Sequence, residues 1–248
     1  MTRPAPETIP SPLPAPEEKH DYVEAMFDAI APRYDLLNSV LSLRLDSRWR
    51  REAARQAALK SGDRVLDVCT GTGDFAYELA SWVGPSGAVI GTDFSKEMLR
   101  WGEPKRAKHP NVTLQWADTQ ALPFPDDHFA AVTVAFGIRN VADIQRGLAE
   151  MARVTKPSGR VIVLEFNRPT SSVVAWGYGL YQKLMPVIGG VISGKRSAYA
   201  YLPASIDAFH SREALARLME EAGMHSVEIT DLNFGTVVIH RGLKGNKK

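Results

Sequence analysis

The residues whose types and spacing carry chemistry most plainly lie at 65–73, V-L-D-V-C-T-G-T-G. Apolar neighbours flank Asp67, so the stretch begins as a strand buried on both faces. Gly71 and Gly73 break it, and a helix can follow from Asp74. Glycine suits such a turn because a Cβ would block a ligand from bare backbone, and because tight turns often need positive φ. A second apolar run, residues 88–93, ends in Asp93. A carboxylate at that strand tip can accept two hydrogen bonds from a ribose diol. The pairing leaves the ligand open. G-T-G-D-F-A at 71–76 also satisfies the dinucleotide pattern G-x-G-x-x-G/A, with an acid at the distance nicotinamide binding requires. A glycine turn in a doubly wound sheet without any ligand is the plainer alternative.

The elements that must position these residues are read from the pattern around them. Strands are expected at residues 64–69, 88–92, 112–116, 130–136 and 160–166, alternating with helices at 74–82, 95–108 and 143–155, as a parallel sheet with crossover helices demands. K-P-S-G at 156–159 reads as the turn ending the fourth crossover. A helix at 211–222 with Ser211 as cap and Gly223 as stop precedes two further strands, 227–232 and 236–240, which N-F-G at 233–235 brings into an antiparallel hairpin. Before the sheet, Val23, Met26, Phe27 and Ile30 fall at helical spacing up to Pro32, and Ser47 is positioned to cap a helix at 48–59. Residues 1–18 are proline-rich and read as a disordered tail. Residues 19–248 read as one domain, with 19–62 as a helical cap and 167–209 as an insertion after strand five.

Composition bounds the function. A chain of 248 residues suits one large α/β domain, and a formal charge of +2 gives no field for nucleic acid. The single cysteine, Cys69, excludes an internal disulfide and fits a cytoplasmic protein. It reads as a small packed residue. No signal peptide is apparent, and the apolar stretch at 173–192 is interrupted by Lys183, Pro186 and glycines, so it does not read as a membrane span.

Two terminal antiparallel strands are not the usual ending of a nicotinamide dehydrogenase. Taken with motif I at 65–73, Asp93 and A-D-T-Q-A-L-P-F at 117–124, the chain resembles class I methyltransferases that bind S-adenosylmethionine. It further resembles the ubiquinone/menaquinone biosynthesis C-methyltransferase family. Y-D-L-L-N-S-V-L-S-L-R-L-D-S-R-W at 34–49, F-G-I-R-N at 136–140, R-V-T-K-P-S-G-R-V-I-V-L-E-F-N at 153–167 and H-R-G at 240–242 carry that similarity. Two positions depart from it: Asp46 stands where the family usually has histidine, and Asn167 where it usually has serine. No histidine base is therefore present at the first of them.

The resemblance implies a Rossmann-like, mostly parallel seven-stranded sheet with a C-terminal antiparallel hairpin. It implies S-adenosylmethionine as methyl donor, bound by Asp67, Gly71, Thr72, Gly73, Asp93, Asp118 and Thr119, with no metal. The acceptor would be a polyprenylated quinol, demethylmenaquinol foremost, with the ubiquinone-pathway benzoquinol as the nearest alternative. A different small-molecule methyltransferase and a cofactor-binding assembly protein are the competing readings. Ring-carbon attack needs a deprotonated neighbouring hydroxyl, and an ordinary phenol with a pKa of ~10 costs roughly 4 kcal/mol to ionise near pH 7. Arg139, with Asn140 beside it, is the candidate to hold that oxyanion, the alternative being a structural ion pair. Tyr34 and Asp35 are the next catalytic candidates, Asp35 as proton acceptor; capping and packing are their plainer roles. Glu165 reads as a ligand or a buried structural acid, His128 as solvated, and His210 as a cap or a substrate-facing group. The aromatic and aliphatic residues of 167–209 fit a lid over a prenyl tail, and Lys183, Lys195 and Arg196 fit anionic headgroups at a membrane surface. A packed helical cap or a homodimer contact is the alternative use of that segment.

Overall fold

The computed structural model describes residues 13–169, 174, 177, 179 and 196–245, the side chains of 16 and 196–200 excepted. Seven strands form one sheet in the order β3-β2-β1-β4-β5-β7-β6. β1 (Arg64–Val68) pairs in parallel with β2 (Ala88–Asp93) on one side and β4 (Phe129–Ala135) on the other. β3 (Val112–Trp116) and β5 (Thr155–Phe166) extend the parallel arrangement outward. β7 (Val237–Lys244) returns antiparallel between β5 and β6 (Met224–Leu232), so the C-terminal hairpin is inserted with its second strand innermost. The chain leaves β1 toward β2 and later comes back to β4. The sheet order thus reverses at the C-terminal end of β1, which is where open α/β sheets open a crevice.

Apolar strands explain the burial. Val65 faces one layer with α3 (Asp46–Ala57) and α4 (Asp74–Val83), where Trp49, Phe75 and Leu79 pack. Leu66 and Val68 face the other layer, with Leu148 and Met151 of α6 (Ile144–Val154) and Leu215 and Met219 of α8 (Arg212–Glu221). α5 (Lys96–Gly102) follows β2. Two further helices, α1 (Lys19–Ile30) and α2 (Tyr34–Leu41), pack a small cluster of Ile30, Ala31, Leu37 and Met98 above α5. α7 (Arg196–Ala208) is the longest described part of the insertion after β5.

Several boundaries differ from the sequence reading. Ser47 does not cap α3: the helix starts one residue earlier, and the Ser47 hydroxyl donates to the Arg44 carbonyl at 3.0 Å. The helix expected at 95–108 ends at Gly102, followed by a 3-10 segment at Glu103–Lys108, because Pro104 lacks the N–H that an α-helix needs. K-P-S-G is not a free turn but the irregular start of β5, with Ser158 at φ 62 and a register shift opposite Phe129/Ala131. Asp143 caps α6 and Ser211 caps α8, each accepting from the backbone N–H three residues on. The tail at 1–12 lies outside the described residues. So do Trp176, Tyr178, Tyr181, Lys183, Leu184, Met185, Val187, Ile188 and Lys195, the residues expected to form a lid.

Two turns must approach closely at the mouth of the crevice. Cys69 is held at φ 51, and a Cβ on Gly137 would fall on the Cβ of Cys69. Gly137→Ala is expected to lower stability by about 1–3 kcal/mol, the range for overpacking, measured as a denaturant midpoint. Adding Cys69→Gly should recover most of that loss, whereas adding Cys69→Ala, which keeps the offending atom, should recover none.

Candidate active site

The glycine turn is held by two carboxylates. Asp67, at the end of β1, is fully buried and accepts from the hydroxyls of Thr70 at 2.6 Å and Thr133 at 2.7 Å. Asp93, at the tip of β2, accepts from the backbone N–H of Gly71 at 2.8 Å and of Ser95 at 2.9 Å. Gly71 (φ 58) and Gly73 (φ 84) both adopt the left-handed conformation that side chains avoid. Gly73 then serves as the N-terminal boundary of α4.

Three adjoining cavities open around this turn. The first encloses about 600 Å³, partly open to solvent, between Gly71, Asp93, Phe94 and Met98 on one side and Asp118, Thr119 and Gly137 on the other. The second, about 780 Å³, is a mainly apolar chamber roofed by α1 and α2: Met26, Phe27, Ile30 and Leu41 face Phe136, Phe166 and Leu202. Its polar wall groups are Tyr34, Asn38, Ser42, Asp46, Arg50, Arg139 and Tyr201. The third, about 290 Å³, lies against the turn itself among Asp67, Thr70, Thr72, Asp74 and Ala135. Tyr34 lines all three, and Phe27, Tyr34 and Phe136 are shared by the first two.

The candidate cofactor residues gather here. Asp93 accepts from the backbone of Gly71, Ser95 and Phe94, and an ionised carboxylate offers about four lone-pair sites, so it retains capacity for a further donor such as a ribose hydroxyl. Asp118 accepts from the Gln120 backbone at 2.9 Å, and Thr119 contacts Cys69 Sγ at 3.4 Å; both line the first cavity. Thr72 lines the small cavity, and its hydroxyl donates to Asp35 at 2.5 Å. The two carboxylates, the bare Gly71 backbone and the adjoining first and third cavities fit an adenosyl group with an amino-acid end. Among the described residues no group of three His, Cys, Asp or Glu side chains is placed to hold a metal ion.

The catalytic candidates divide. Arg139 is 7 % exposed and lines the apolar chamber. Its Nη1 donates to Glu165 at 2.6 Å and to the Phe136 carbonyl at 2.6 Å, and its Nε to Ser205 at 3.4 Å. The ion pair with Glu165 is thus present, and the same side chain also lines the chamber. Glu165 is the buried acid of that pair; burial pushes its carboxyl up against the pull of Arg139. Asn140 lines the first cavity and accepts from the Tyr201 hydroxyl at 3.1 Å, so its amide oxygen is engaged rather than its donor. Tyr34 is half-buried at the seam, and desolvation holds its phenol above the ordinary range despite a hydrogen bond with Asn38. Asp35 is not on the wall of the apolar chamber. Its carboxylate is tied to Thr72 and, at 2.7 Å, to Lys105, because α2 turns this residue toward the glycine turn.

Residues outside the expected set also matter. Arg50 donates to Asp46 at 2.5 Å and stands 3.9 Å from Asp74. Burial opposes ionisation of Asp46, but the Arg50 charge and the Ser42 hydrogen bond outweigh it and hold the carboxyl below its usual range. Arg50 sits one turn after Asp46, where the departure from the family pattern drew attention, yet its spacing alone resembles any basic face of a helix. Lys105 bridges Asp35 and Asp74, a link between α2 and α4 that only folding reveals. The remaining candidates are Cys69, which lines the first and third cavities, and two histidines outside them. Cys69 is half-buried, and desolvation pushes its thiol up and away from reactivity. His128 pairs with Arg64 at 2.7 Å, and His210 lines an open cleft beside Lys19 and Phe209 while Ser211, not His210, caps α8.

The sheet order and these hollows define the class. Solved structures titled as methyltransferases share the fold: one from Aquifex aeolicus, described as dependent on S-adenosylmethionine, superposes with a TM-score of 0.60 at 20 % identity, covering 81 % of this chain and 92 % of its own. A putative methyltransferase complexed with the Trm112 activator from Haloferax volcanii gives 0.64 at 20 %, covering 89 % and 98 %. The protein is a Rossmann-like class I fold with a methyltransferase arrangement of strands. More narrowly, the chain belongs to the ubiE/COQ5 methyltransferase family, whose model matches residues 15–244. A Geobacter sulfurreducens protein named ubiquinone/menaquinone biosynthesis C-methyltransferase is 46 % identical over 93 % of this chain and 91 % of its own. A Thermus thermophilus protein named demethylmenaquinone methyltransferase is 47 % identical over 88 % and 99 %.

The buried acids set a pH dependence for the ligand-free protein. Desolvation, opposed by the Thr70 and Thr133 hydrogen bonds, pushes Asp67 up to about 7, and desolvation likewise pushes Asp93 up to about 6. A folded-state value above the unfolded ~3.9 means the folded chain holds the proton longer. The Asp67 contribution is thus most favourable below pH ~4 and is lost as pH rises toward 7. Asp67→Asn should flatten the fall in stability between pH 5 and pH 8 by on the order of a few kcal/mol. Chemical denaturation at the two pH values measures this, and equal slopes for wild type and variant would contradict it.

Proposed function

We infer that this chain transfers a methyl group from S-adenosylmethionine to a ring carbon of a prenylated quinol, with demethylmenaquinol as the acceptor. The observation that carries the reading is the meeting of two hollows at Tyr34 and Phe136, one lined by paired carboxylates and bare backbone, the other apolar with a buried arginine. When bound, the cofactor would supply an already activated methyl on a sulfonium and leave as the neutral thioether, while the ring carbon that gains the methyl gives up its proton to solvent. The protein's own work is to align the ring and to lower the cost of ionising it. Phe27, Phe136 and Phe166 offer ring faces and edges to an aromatic acceptor, with Phe136 and Phe166 4.5 Å apart at their centroids. Arg139, held rigid by Glu165 and the Phe136 carbonyl, places a positive charge where a phenolate oxygen would form. Fixing the two reactants against the Tyr34 seam converts an encounter into a local step, an effect that can supply several kcal/mol.

Asp67, Gly71, Thr72, Gly73, Asp93, Asp118 and Thr119 are assigned to the cofactor, and Tyr34, Arg139 and Asn140 to the reacting centre. The placement of Asp35 favours a role in holding α2 to the glycine turn over that of proton acceptor. The name of the Thermus thermophilus relative supports demethylmenaquinol, while that of the Geobacter sulfurreducens relative spans both quinone pathways. A lipid-soluble acceptor calls for work at a membrane surface, and no described helix is long and apolar enough to cross one. The exposed Leu36, Val40 and Leu43 at the chamber roof suit such a surface.

The reading is tested with purified protein, labelled S-adenosylmethionine and chemically reduced demethylmenaquinone, the product being located by mass spectrometry. Label on the quinone ring is expected, and cofactor binding without transfer to any quinol would point to an assembly role instead. Arg139→Ala is expected to reduce turnover at least 100-fold while cofactor affinity stays within about threefold, a loss of roughly 3 kcal/mol in transition-state stabilisation. The folded fraction should be checked in parallel, since unpairing Glu165 is itself destabilising.

A further inference from the structure

Arg50 is a buried cation that this reaction scheme leaves without a task. It lines both the apolar chamber and the small cavity against the glycine turn. On the small cavity's described wall it is the one cationic side chain, facing the carboxylates Asp67 and Asp74 and the hydroxyls of Thr70 and Thr72. Its two edges are unequally satisfied. Nη1 makes a short hydrogen bond to Asp46 on the chamber side, while Nη2 lies 3.9 Å from Asp74, too far for a hydrogen bond. Asp74 is already matched at 2.6 Å by Lys105, which lines none of the three cavities. A guanidinium with an unsatisfied edge toward a small polar hollow is suited to a carboxylate, which it can grip through two parallel N–H donors.

The first cavity accounts for a nucleoside, and the small one begins where the nucleoside's amino-acid extension would have to go. That extension is a zwitterion, and its burial requires one positive and at least one negative partner. We propose that Arg50 is the clamp for the α-carboxylate of the cofactor's methionine end, with Asp67 and Asp74 left to face its ammonium group. Asp46 then acts as a positioning residue. Ser42 and Arg50 hold it in the chamber wall, and it anchors the guanidinium from behind so that the free edge stays aimed at the small cavity. Tyr34 closes the same hollow from above. The inference rests on S-adenosylmethionine being the cofactor.

The test compares S-adenosylhomocysteine with its decarboxylated analogue, which keeps nucleoside, thioether and amine but lacks the carboxylate, by titration calorimetry on the full chain. Wild type should bind S-adenosylhomocysteine the more tightly. Arg50→Met should weaken S-adenosylhomocysteine by about 10- to 100-fold, the size of a charge-assisted hydrogen-bonded contact, and leave the analogue within about threefold, so that the two affinities converge. Retained binding of the analogue shows that the nucleoside site is still folded. Arg50→Lys keeps a charge opposite Asp46 and guards against misfolding of the first variant; it should show the same selective loss at smaller size. Equal losses for both ligands in Arg50→Lys, or unchanged S-adenosylhomocysteine affinity in either variant, would overturn the assignment. Failure of wild type to bind either ligand would instead overturn the cofactor reading on which it rests.

Discussion

The organisation of this protein depends on two buried carboxylates that hold one backbone turn. Asp67 takes hydroxyl hydrogens from Thr70 and Thr133, and Asp93 takes the Gly71 N–H. The turn between Cys69 and Gly73 contains three residues at positive φ and would not keep that shape on local preference alone. It sits where the sheet order reverses, so fixing it also fixes the edges of every hollow around it. Desolvation makes both acids costly to ionise. That cost is retained at a place where a ligand bearing hydroxyl and ammonium donors would offset it, which is the pattern expected of a preorganised binding site rather than of a merely stable fold.

Above the turn, α1 and α2 do more than cover the sheet. They pack on α5 through Ile30, Leu37 and Met98, and they supply Phe27 and Tyr34, two of the three side chains shared by the cofactor-sized cavity and the apolar chamber. The Asp35–Lys105–Asp74 bridge and the Asp35–Thr72 hydrogen bond fasten this cap to the glycine turn. The two hollows consequently share one wall with the cap. A displacement of α2 would open both hollows at Tyr34 together, which suits a reaction in which two dissimilar molecules must be brought into contact and kept from water.

Much of this was legible before folding. Strong apolar runs with glycine punctuation placed β1, β2, β3 and β4 to within one residue at each end, because a doubly buried parallel strand leaves little ambiguity of period, whereas the irregular start of β5 and the ends of the hairpin extend further than their apolar runs. The glycine turn and Asp93 were legible for the same reason, as their chemistry is local. Long-range pairing was not. Nothing within reach of Arg139 in sequence says that Glu165 meets it, and the ion pair becomes visible only when the end of β5 is laid beside β4. Asp35 reads as a candidate base only until α2 is seen to turn it away from the chamber. Arg50 lies on a helix rich in arginine, where most such residues are solvated, and its burial follows from α3 packing Trp49 and Ala53 into the sheet layer on either side of it.

The central claim is that a nucleoside thioether and a quinol ring occupy the two hollows on either side of Tyr34 and Phe136. A crystal structure of the chain with S-adenosylhomocysteine and a short-tailed demethylmenaquinol analogue measures it directly. The account predicts the ribose on Asp93, the quinol ring among Phe136, Phe166 and Arg139, and the thioether sulfur meeting a ring carbon across the Tyr34 seam. A quinol seated outside the apolar chamber, or a nucleoside lying within it, would contradict the account.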